Sequence, residues 1–468
     1  IELISIAANT EFGKRYKFDD ISSINDFKER VPLHFYEDIE ADVNRLRQGE
    51  QNIFWPGEVK WFAKSSGTTN SKSKFIPVSE EAIEDCHFKG GKDLLSIYCN
   101  LNPETMVFDG MNLRMGGSTF LDNQELQSYY GDVSGIIIEN LPFWVEMRST
   151  PNNKISLMTE WESKIVAMAT TSLREDVTSL AGVPSWMLVL LQRVLELSGK
   201  KTIAEVWPNL ELYMHGGVNF EPYREQYREI IGKDINYLET YNASEGFFGI
   251  QDQKDSSEML LMLDYGIYFE FIPMDQYQGT QSKTIGLSEV EIGPSYAVVI
   301  TSNAGLWRYI IGDTIRFTNT SPYRFKITGR TKHFINVFGE ELIIENAEKA
   351  LKQSCEKHNC QVLDFTVAPI FMEGKNKGAH QWLIEWSKAP ANQAEFAADL
   401  DKAICNINSD YEAKRYKGLA LTGLELIEAR PGLFYDWLST KGKLGGQNKV
   451  PRLSNSREHM DELLKLND

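Results

Sequence analysis

The stretch Leu210-Glu211-Leu212-Tyr213-Met214 stops at Gly216-Gly217, and Asp234-Ile235-Asn236-Tyr237-Leu238-Glu239-Thr240-Tyr241 runs on into Asn242-Ala243-Ser244-Glu245-Gly246. Each is a short run of strand-forming residues that halts at small, loop-forming ones. Between such runs lie segments with apolar residues at helical spacing, the strongest of them 186–197. Alternating strand and helix specifies an α/β fold with ligand loops beyond the strand ends. Working outward, 24–30 reads as a helix stopped by Pro32, and 60–63 as a short strand entering a polar loop. Ser79 is placed to cap a helix reaching Tyr98, with Ala82, Ile83, Leu94, Leu95 and Tyr98 inward. The 135–138 run, glycine and three isoleucines, reads as a buried turn or strand, and 177–183 is only weakly patterned.

The texture changes near residue 328. A large α/β domain over 1–328 is expected, followed by a small mobile α+β domain over 329–468. The tail predicts a helix over 341–358, strands over 361–371 and 381–386, a helix over 393–411 and a strand over 424–429.

The chain has 468 residues, is 42% hydrophobic and carries a net charge of −17. That balance opposes nonspecific nucleic-acid binding and an electrostatic hold on anionic membranes, but not a local nucleotide site. No run of about 18 apolar residues occurs, so no transmembrane helix is expected. Cys86, Cys99, Cys355, Cys360 and Cys405 form an odd, sparse set, which reads as reduced thiols of a cytoplasmic protein. Cys355, His358 and Cys360 lack a second ligand pair at finger spacing and read as helix-end residues without a metal. The chain opens at Ile1 without a methionine, as a fragment or processed form would.

Four segments carry chemistry. Lys64-Ser65-Ser66-Gly67-Thr68-Thr69-Asn70-Ser71-Lys72-Ser73-Lys74 gathers hydroxyls, a glycine and lysines after a strand. Hydroxyls and backbone N–H groups donate to phosphate oxygens, while Gly67 permits close approach. No Walker pattern is present, and a mobile hydroxylated linker is the competing reading. In 241–246 Glu245 stands alone among small residues, either as a Mg²⁺ ligand beside a triphosphate or as a solvated turn carboxylate. In Trp307-Arg308-Tyr309-Ile310-Ile311-Gly312-Asp313, Asp313 can accept both ribose hydroxyls, or Gly-Asp can cap a hairpin turn. In Asn448-Lys449-Val450-Pro451-Arg452, Lys449 is either a loop lysine that meets developing negative charge or a surface lysine. His215 is either a base for an amine proton or a packing residue.

In this order the segments resemble the Gretchen Hagen family of acyl acid-amido synthetases, within the adenylate-forming superfamily. The likeness spans nearly the whole chain, including 27–36 and 61–64, and points to a bacterial-type member. It implies a large adenylate-forming N-terminal domain and a smaller C-terminal one, with ATP and Mg²⁺ as cofactors. It implies that Ser65, Ser66, Gly67, Thr68 and Thr69 face the phosphates, and that Gly216 and Gly217 line the adenine site. Tyr241 and Asn242 would lie near the base or acyl-adenylate, Ser244 at phosphate, Glu245 on Mg²⁺, Asp313 on ribose and Lys449 at the phosphate during adenylation. Two departures stand out. The family's Tyr-Arg-x-Gly-Asp has Ile310 in the arginine slot, with Arg308 ahead of Tyr309, and Ser71 stands where many plant members have glycine.

The implied reaction joins a small carboxylic acid, through acyl-AMP, to an amine such as an amino acid. The smaller domain is expected to rotate between the two halves about Gly329-Arg330. A coenzyme A ligase of the same superfamily and a non-catalytic scaffold are the alternatives. Met111, Met115, Phe143, Trp144 and Met147 form either an acyl-pocket wall or ordinary core.

Overall fold

The computed structural model describes residues 1–65, 74–123, 128–217, 220, 224–331, 334–335, 342–371, 378–408, 411–412, 415, 421–442, 449–454 and 456–467. The chain divides into two compact units. The first takes Ile1–Ile311 and Ile315–Lys326; the second takes Gly312–Thr314, Ile327–Leu444 and Asn448–Asp468.

The strands of the first unit are β1 (Trp61–Ser65), β2 (Lys74–Val78), β3 (Met111–Met115), β4 (Thr119–Asn123), β5 (Ser128–Gly131), β6 (Ser149–Thr150), β7 (Val177–Gly182), β8 (Leu212–Gly216), β9 (Asn236–Ala243), β10 (Gly246–Ile250), β11 (Met259–Leu261), β12 (Ile267–Pro273) and β13 (Ser295–Ser302). Two more, β14 (Tyr309–Thr320) and β15 (Tyr323–Arg330), contribute residues to both units. They form a four-stranded sheet, order β2-β1-β5-β4, and an eleven-stranded one, order β12-β13-β14-β15-β11-β10-β9-β8-β7-β3-β6.

The large sheet is mixed. β6, β3, β7, β8 and β9 run parallel, because the helices Trp161–Ser172, Pro184–Ser198 and Arg224–Ile231 supply the crossovers. β9, β10, β11 and β15 then pair antiparallel in succession, as do β12 and β13. The α/β expectation holds, with an antiparallel half beyond the alternation that the sequence displays.

Local chemistry explains the element ends. Ser23 accepts from the Asp26 N–H at the start of the helix Ile24–Arg30. Ser79 accepts from the Ala82 N–H at 3.0 Å and donates to the Asn303 carbonyl at 2.8 Å. The helix it opens begins as a π-helical stretch, Ala82–Phe88, before continuing as Lys89–Leu101.

One reading is corrected. Residues 135–138 belong to a helix, Val133–Glu139, whose Ile136 and Ile138 are buried. The three isoleucines suggested strand, but Gly135 comes so close to the Ser118 backbone that a Cβ would sit 3.1 Å from it. Packing overrides propensity there. The weakly patterned 177–183 run holds strand β7, whose first four residues are all buried. A strand covered on both faces shows no alternation.

The second unit holds β16 (Phe334–Ile335), β17 (Leu342–Ile343), β18 (Gln361–Ile370), β19 (Ala379–Lys388) and β20 (Glu425–Ala429). β18 and β19 are antiparallel, and β19 and β20 parallel. Trp382 and Ile384 of β19 join one core with the helices Ile344–His358 and Gln393–Ile407. Leu383 joins another with Leu433–Thr440 and Glu458–Asn467. Period-two alternation thus feeds helices on both faces.

Candidate active site

In β8 and β9, Gly216 stands beside Thr240. A Cβ on Gly216 would lie 2.4 Å from the Thr240 carbonyl oxygen, so the close approach requires glycine. Gly217 follows with φ +78, a conformation that lets the chain leave the strand. Gly216→Ala is expected to cost about 1–3 kcal/mol through strain and to weaken ATP binding. Calorimetric titration with ATP checks this; an unmoved affinity would separate this glycine from the nucleotide.

β9 reverses directly into β10: Ala243 pairs with Gly246, and Asn242 with Phe247. Ser244 and Glu245 are therefore the two residues of a tight hairpin rather than part of a longer loop. Ser244 is buried and Glu245 half-buried. Tyr241 is buried in the core, 4.9 Å from Phe248 and 6.1 Å from Phe325. The half-buried Asn242 meets His87, a buried residue of the π-helical stretch. Burial pushes this imidazole down to about 4, with the neighbouring Asn242 acting the other way.

The hydroxyl loop joins two antiparallel strands, since Ser65 of β1 lies opposite Lys74 of β2. Ser65 closes β1, whereas Ser66, Gly67, Thr68 and Thr69 lie outside the described residues.

A second group forms within the second unit. Gly312 and Asp313 lie inside β14, with Gly312 at φ +89, so the hairpin-turn reading of this pair is corrected. The Thr331 N–H donates to the Gly312 carbonyl at 2.8 Å, and the Thr328 hydroxyl donates to Thr314 at 2.9 Å. The Asp313 carboxylate is buried and accepts from Arg330 Nε at 2.5 Å. Gly329 and Arg330 close strand β15 rather than occupying a loop, because these bonds continue the pairing to the strand's end.

Lys449 is exposed as a residue, yet its ammonium is pushed down to about 7. Loss of water around the charge acts first, then repulsion from Arg330 and Arg452; Asp313 and Glu348 act the other way. Asp313 and Lys449 therefore share one electrostatic neighbourhood. The chain just after Lys449 is fixed. Thr366 donates to the Pro451 carbonyl at 2.6 Å, the Val367 N–H donates to the Arg452 carbonyl at 2.9 Å, and Arg452 pairs with Asp364. The reading of a free loop is corrected for 450–453; residues 443–448 lie outside the described set.

Comparison with known proteins bears on this arrangement. The GH3 family N-terminal domain matches residues 1–235, the central domain 260–330 and the C-terminal domain 345–458. The chain belongs to the GH3 family. It is 24% identical to jasmonoyl–L-amino acid synthetase GH3.5 of Oryza sativa subsp. japonica, covering 97% of this chain and 91% of that one. It is 23% identical to indole-3-acetic acid-amido synthetase GH3.3 of Arabidopsis thaliana, covering 96% and 87%. The fold matches AtGH3.15 acyl acid amido synthetase in complex with 2,4-DB, with TM-score 0.82 and 17% identity over 99% of this chain and 92% of that one.

In this GH3 chain Arg308 is part of the frame. Its Nε and Nη2 donate to Glu270 at 3.0 Å each, and Nη1 donates to the Lys28 and Val31 carbonyls. Ile310, in the motif's arginine slot, fills a small core with Leu33, Ile272, Ala297 and Val299. His215 is buried and stacked on Phe220 at 4.1 Å, so packing accounts for its place. Of the five residues read as acyl wall or core, Met115 is buried, but Phe143 is 75% exposed, and Trp144 and Met147 are exposed too. Core packing does not account for those three. Sequence reading missed His87; the signal was its place among the inward residues Ile83, Cys86 and Phe88. Among the described residues no helix is long and apolar enough to cross a membrane.

Proposed function

We propose that the chain is an ATP-dependent ligase that converts a small carboxylic acid to acyl-AMP and passes the acyl group to an amine, in particular an amino acid. The observation that carries this reading is the meeting of Asp313 and Lys449 in one charged neighbourhood in a chain of GH3 membership. The two relatives compared are, by name, synthetases joining an acid to an amino acid or amine. They are plant proteins; the bacterial-type reading is our own and leans on Ile310 and Ser71.

In the first half-reaction a carboxylate oxygen attacks the α-phosphorus of ATP, and the bond to the pyrophosphate oxygen breaks. An anion approaches a polyanion, so the barrier is electrostatic and falls with preorganised donors and positive charge. The hydroxyl loop, Ser65 to Thr69, and Ser244 would donate to phosphates. Gly216 and Gly217 would line the adenine site, Tyr241 and Asn242 would lie near the base or the acyl-adenylate, Asp313 would hold the ribose, and Lys449 would meet charge at the phosphate. In the second half an amine nitrogen attacks the acyl carbon and AMP leaves. The second unit would turn between the halves.

Mg²⁺ fits Glu245. Among the described residues no group of three or more His, Cys, Asp or Glu is placed to hold a metal by itself. One carboxylate at a hairpin tip suits an ion that keeps waters and takes the rest of its ligands from phosphates. When bound, the ion would offset phosphate charge.

Pyrophosphate exchange into ATP, dependent on an added carboxylic acid and abolished by chelation of divalent ions, is the expected result. A panel of acids crossed with amino acids and coenzyme A then assigns the acceptor. No exchange with any acid while ATP still binds would reject the ligase reading in favour of a scaffold, and thioester formation would reassign the acceptor.

A further inference from the structure

Arg114 lies near the carboxyl end of β3, which runs parallel to β7, with β8 next in order. The ends of parallel strands are where such sheets bind ligands. Arg114 is only 6% exposed. Its Nη2 donates to Asn153 Oδ1 at 2.5 Å, whereas the buried Nε and Nη1 meet no acceptor among the described residues. Glu146 acts on it only through its field, and burial lowers the guanidinium pKa to about 10. Arg308, equally buried, uses all three nitrogens and a carboxylate. The same chain thus completes one buried arginine and leaves the other open.

The loop after β3 also meets a second buried cation, from the helix Trp161–Ser172. Lys164, 2% exposed, donates from Nζ to the Gly116 carbonyl at 2.8 Å and the Gly117 carbonyl at 3.3 Å. Its charge is met by dipoles at that contact, with the carboxylate of Asp132 acting from farther off. One short segment, 114–117, thus supplies one buried positive group and receives another, in a molecule whose net charge is −17. Unpaired buried donors and an uncompensated buried charge are costly, and native proteins keep them mainly where a ligand uses them. Water can satisfy an N–H group, but it does not balance a charge; an oxyanion does both.

We propose that Arg114, steadied by Asn153, is a recognition residue for a substrate carboxylate other than the one that is activated. The inference rests on the ligase reading above. The activated carboxylate becomes neutral in acyl-AMP and so cannot be the lasting counter-ion. Two sources of the same chemistry remain: a second carboxylate on the acid, or the α-carboxylate of an amino-acid acceptor.

The test compares wild type with Arg114→Gln and Arg114→Lys in two arms. The first measures pyrophosphate exchange with glutarate against butyrate; the second measures amide formation with glutamine against its carboxamide derivative. The expected result is a rise in KM of roughly 10–100-fold in Arg114→Gln for the partner bearing the extra carboxylate in one arm, far smaller for its matched neutral analogue, with partial rescue in Arg114→Lys. Equal change across both matched pairs, or none, overturns the proposal. Calorimetric titration with glutarate and with glutamine separates this from failure of the ligase reading. Binding to wild type that Arg114→Gln loses supports the site even without turnover. Binding absent from wild type, or equal in both proteins, overturns it. Should Arg114→Gln not fold, Asn153→Ala is titrated instead: weakened binding supports the site and unchanged binding overturns it.

Discussion

Replacing Glu270 with alanine is expected to destabilise the first unit by about 3–5 kcal/mol, the usual cost of removing one partner from a buried ion pair. Glu270 lies in β12 and is 1% exposed. It accepts from Arg308 Nε and Nη2 at 3.0 Å each and from the Thr284 hydroxyl at 2.5 Å. Arg308 has φ +45 and donates through Nη1 to the Val31 carbonyl at 2.7 Å, at the end of the helix Ile24–Arg30. One guanidinium thus ties the helix Ile24–Arg30, β12 and the start of β14 together. Alanine would leave that cation buried among carbonyls with no countercharge. Urea unfolding measures the loss, and the double variant Glu270→Ala, Arg308→Met should recover part of it because no bare charge remains. A cost below about 1 kcal/mol would show that the pair is not what holds these elements.

Lys449→Met is expected to lower acid-dependent pyrophosphate exchange by roughly 10²–10³-fold, the scale of losing one preorganised charge in a polar transition state. Because Lys449 is exposed, the fold should survive. Acyl transfer from supplied acyl-AMP should be far less affected, since no pyrophosphate leaves in that half. Acidity adds a second readout. With its pKa near 7, the ammonium of the free protein loses its proton as pH rises through that value. Exchange measured as kcat/KM for ATP should therefore fall above about pH 7, while bound phosphate, by favouring the charged form, shifts the fall in kcat to higher pH. Lys449→Arg, charged throughout, should lack that limb. For stability the sign is opposite. A lysine whose folded pKa lies below its unfolded one releases a proton on folding between the two values. Its contribution therefore becomes more favourable with rising pH across that window. Full exchange in Lys449→Met would remove this lysine from the reaction.

Some of this molecule was legible without coordinates. Residues 186–197 and 234–241 have a single dominant period and clear stops, and both appear as a helix and a strand near the expected limits. The tail elements have the same clarity. The failures have physical causes. Residues 135–138 and 177–183 take their form from what covers them, and neither pattern declares its cover. Gly312-Asp313 looked like a turn because glycine beside aspartate is turn chemistry; a positive φ inside a long strand satisfies the same residues. The residue types of the site were readable as chemistry, and the hairpin tip that holds Glu245 follows from β9 meeting β10. The open guanidinium of Arg114 was not readable, because an arginine's partners are set by tertiary packing.

The membership of residues 312–314 bears on how the gene can be cut. The strand that carries Asp313 is rooted in the first unit, where the His34 N–H donates to the Arg308 carbonyl and the Ile310 N–H donates back to His34, while Thr328, Arg330 and Thr331 hold its middle from the second. No single break in the polypeptide yields two self-contained pieces. Severing after Lys326 would strand Asp313 away from Arg330, and severing before Gly312 would strip β14 from the large sheet. Dissection studies would therefore do better to exchange the hairpin of β14 and β15 as one cassette than to express the halves alone.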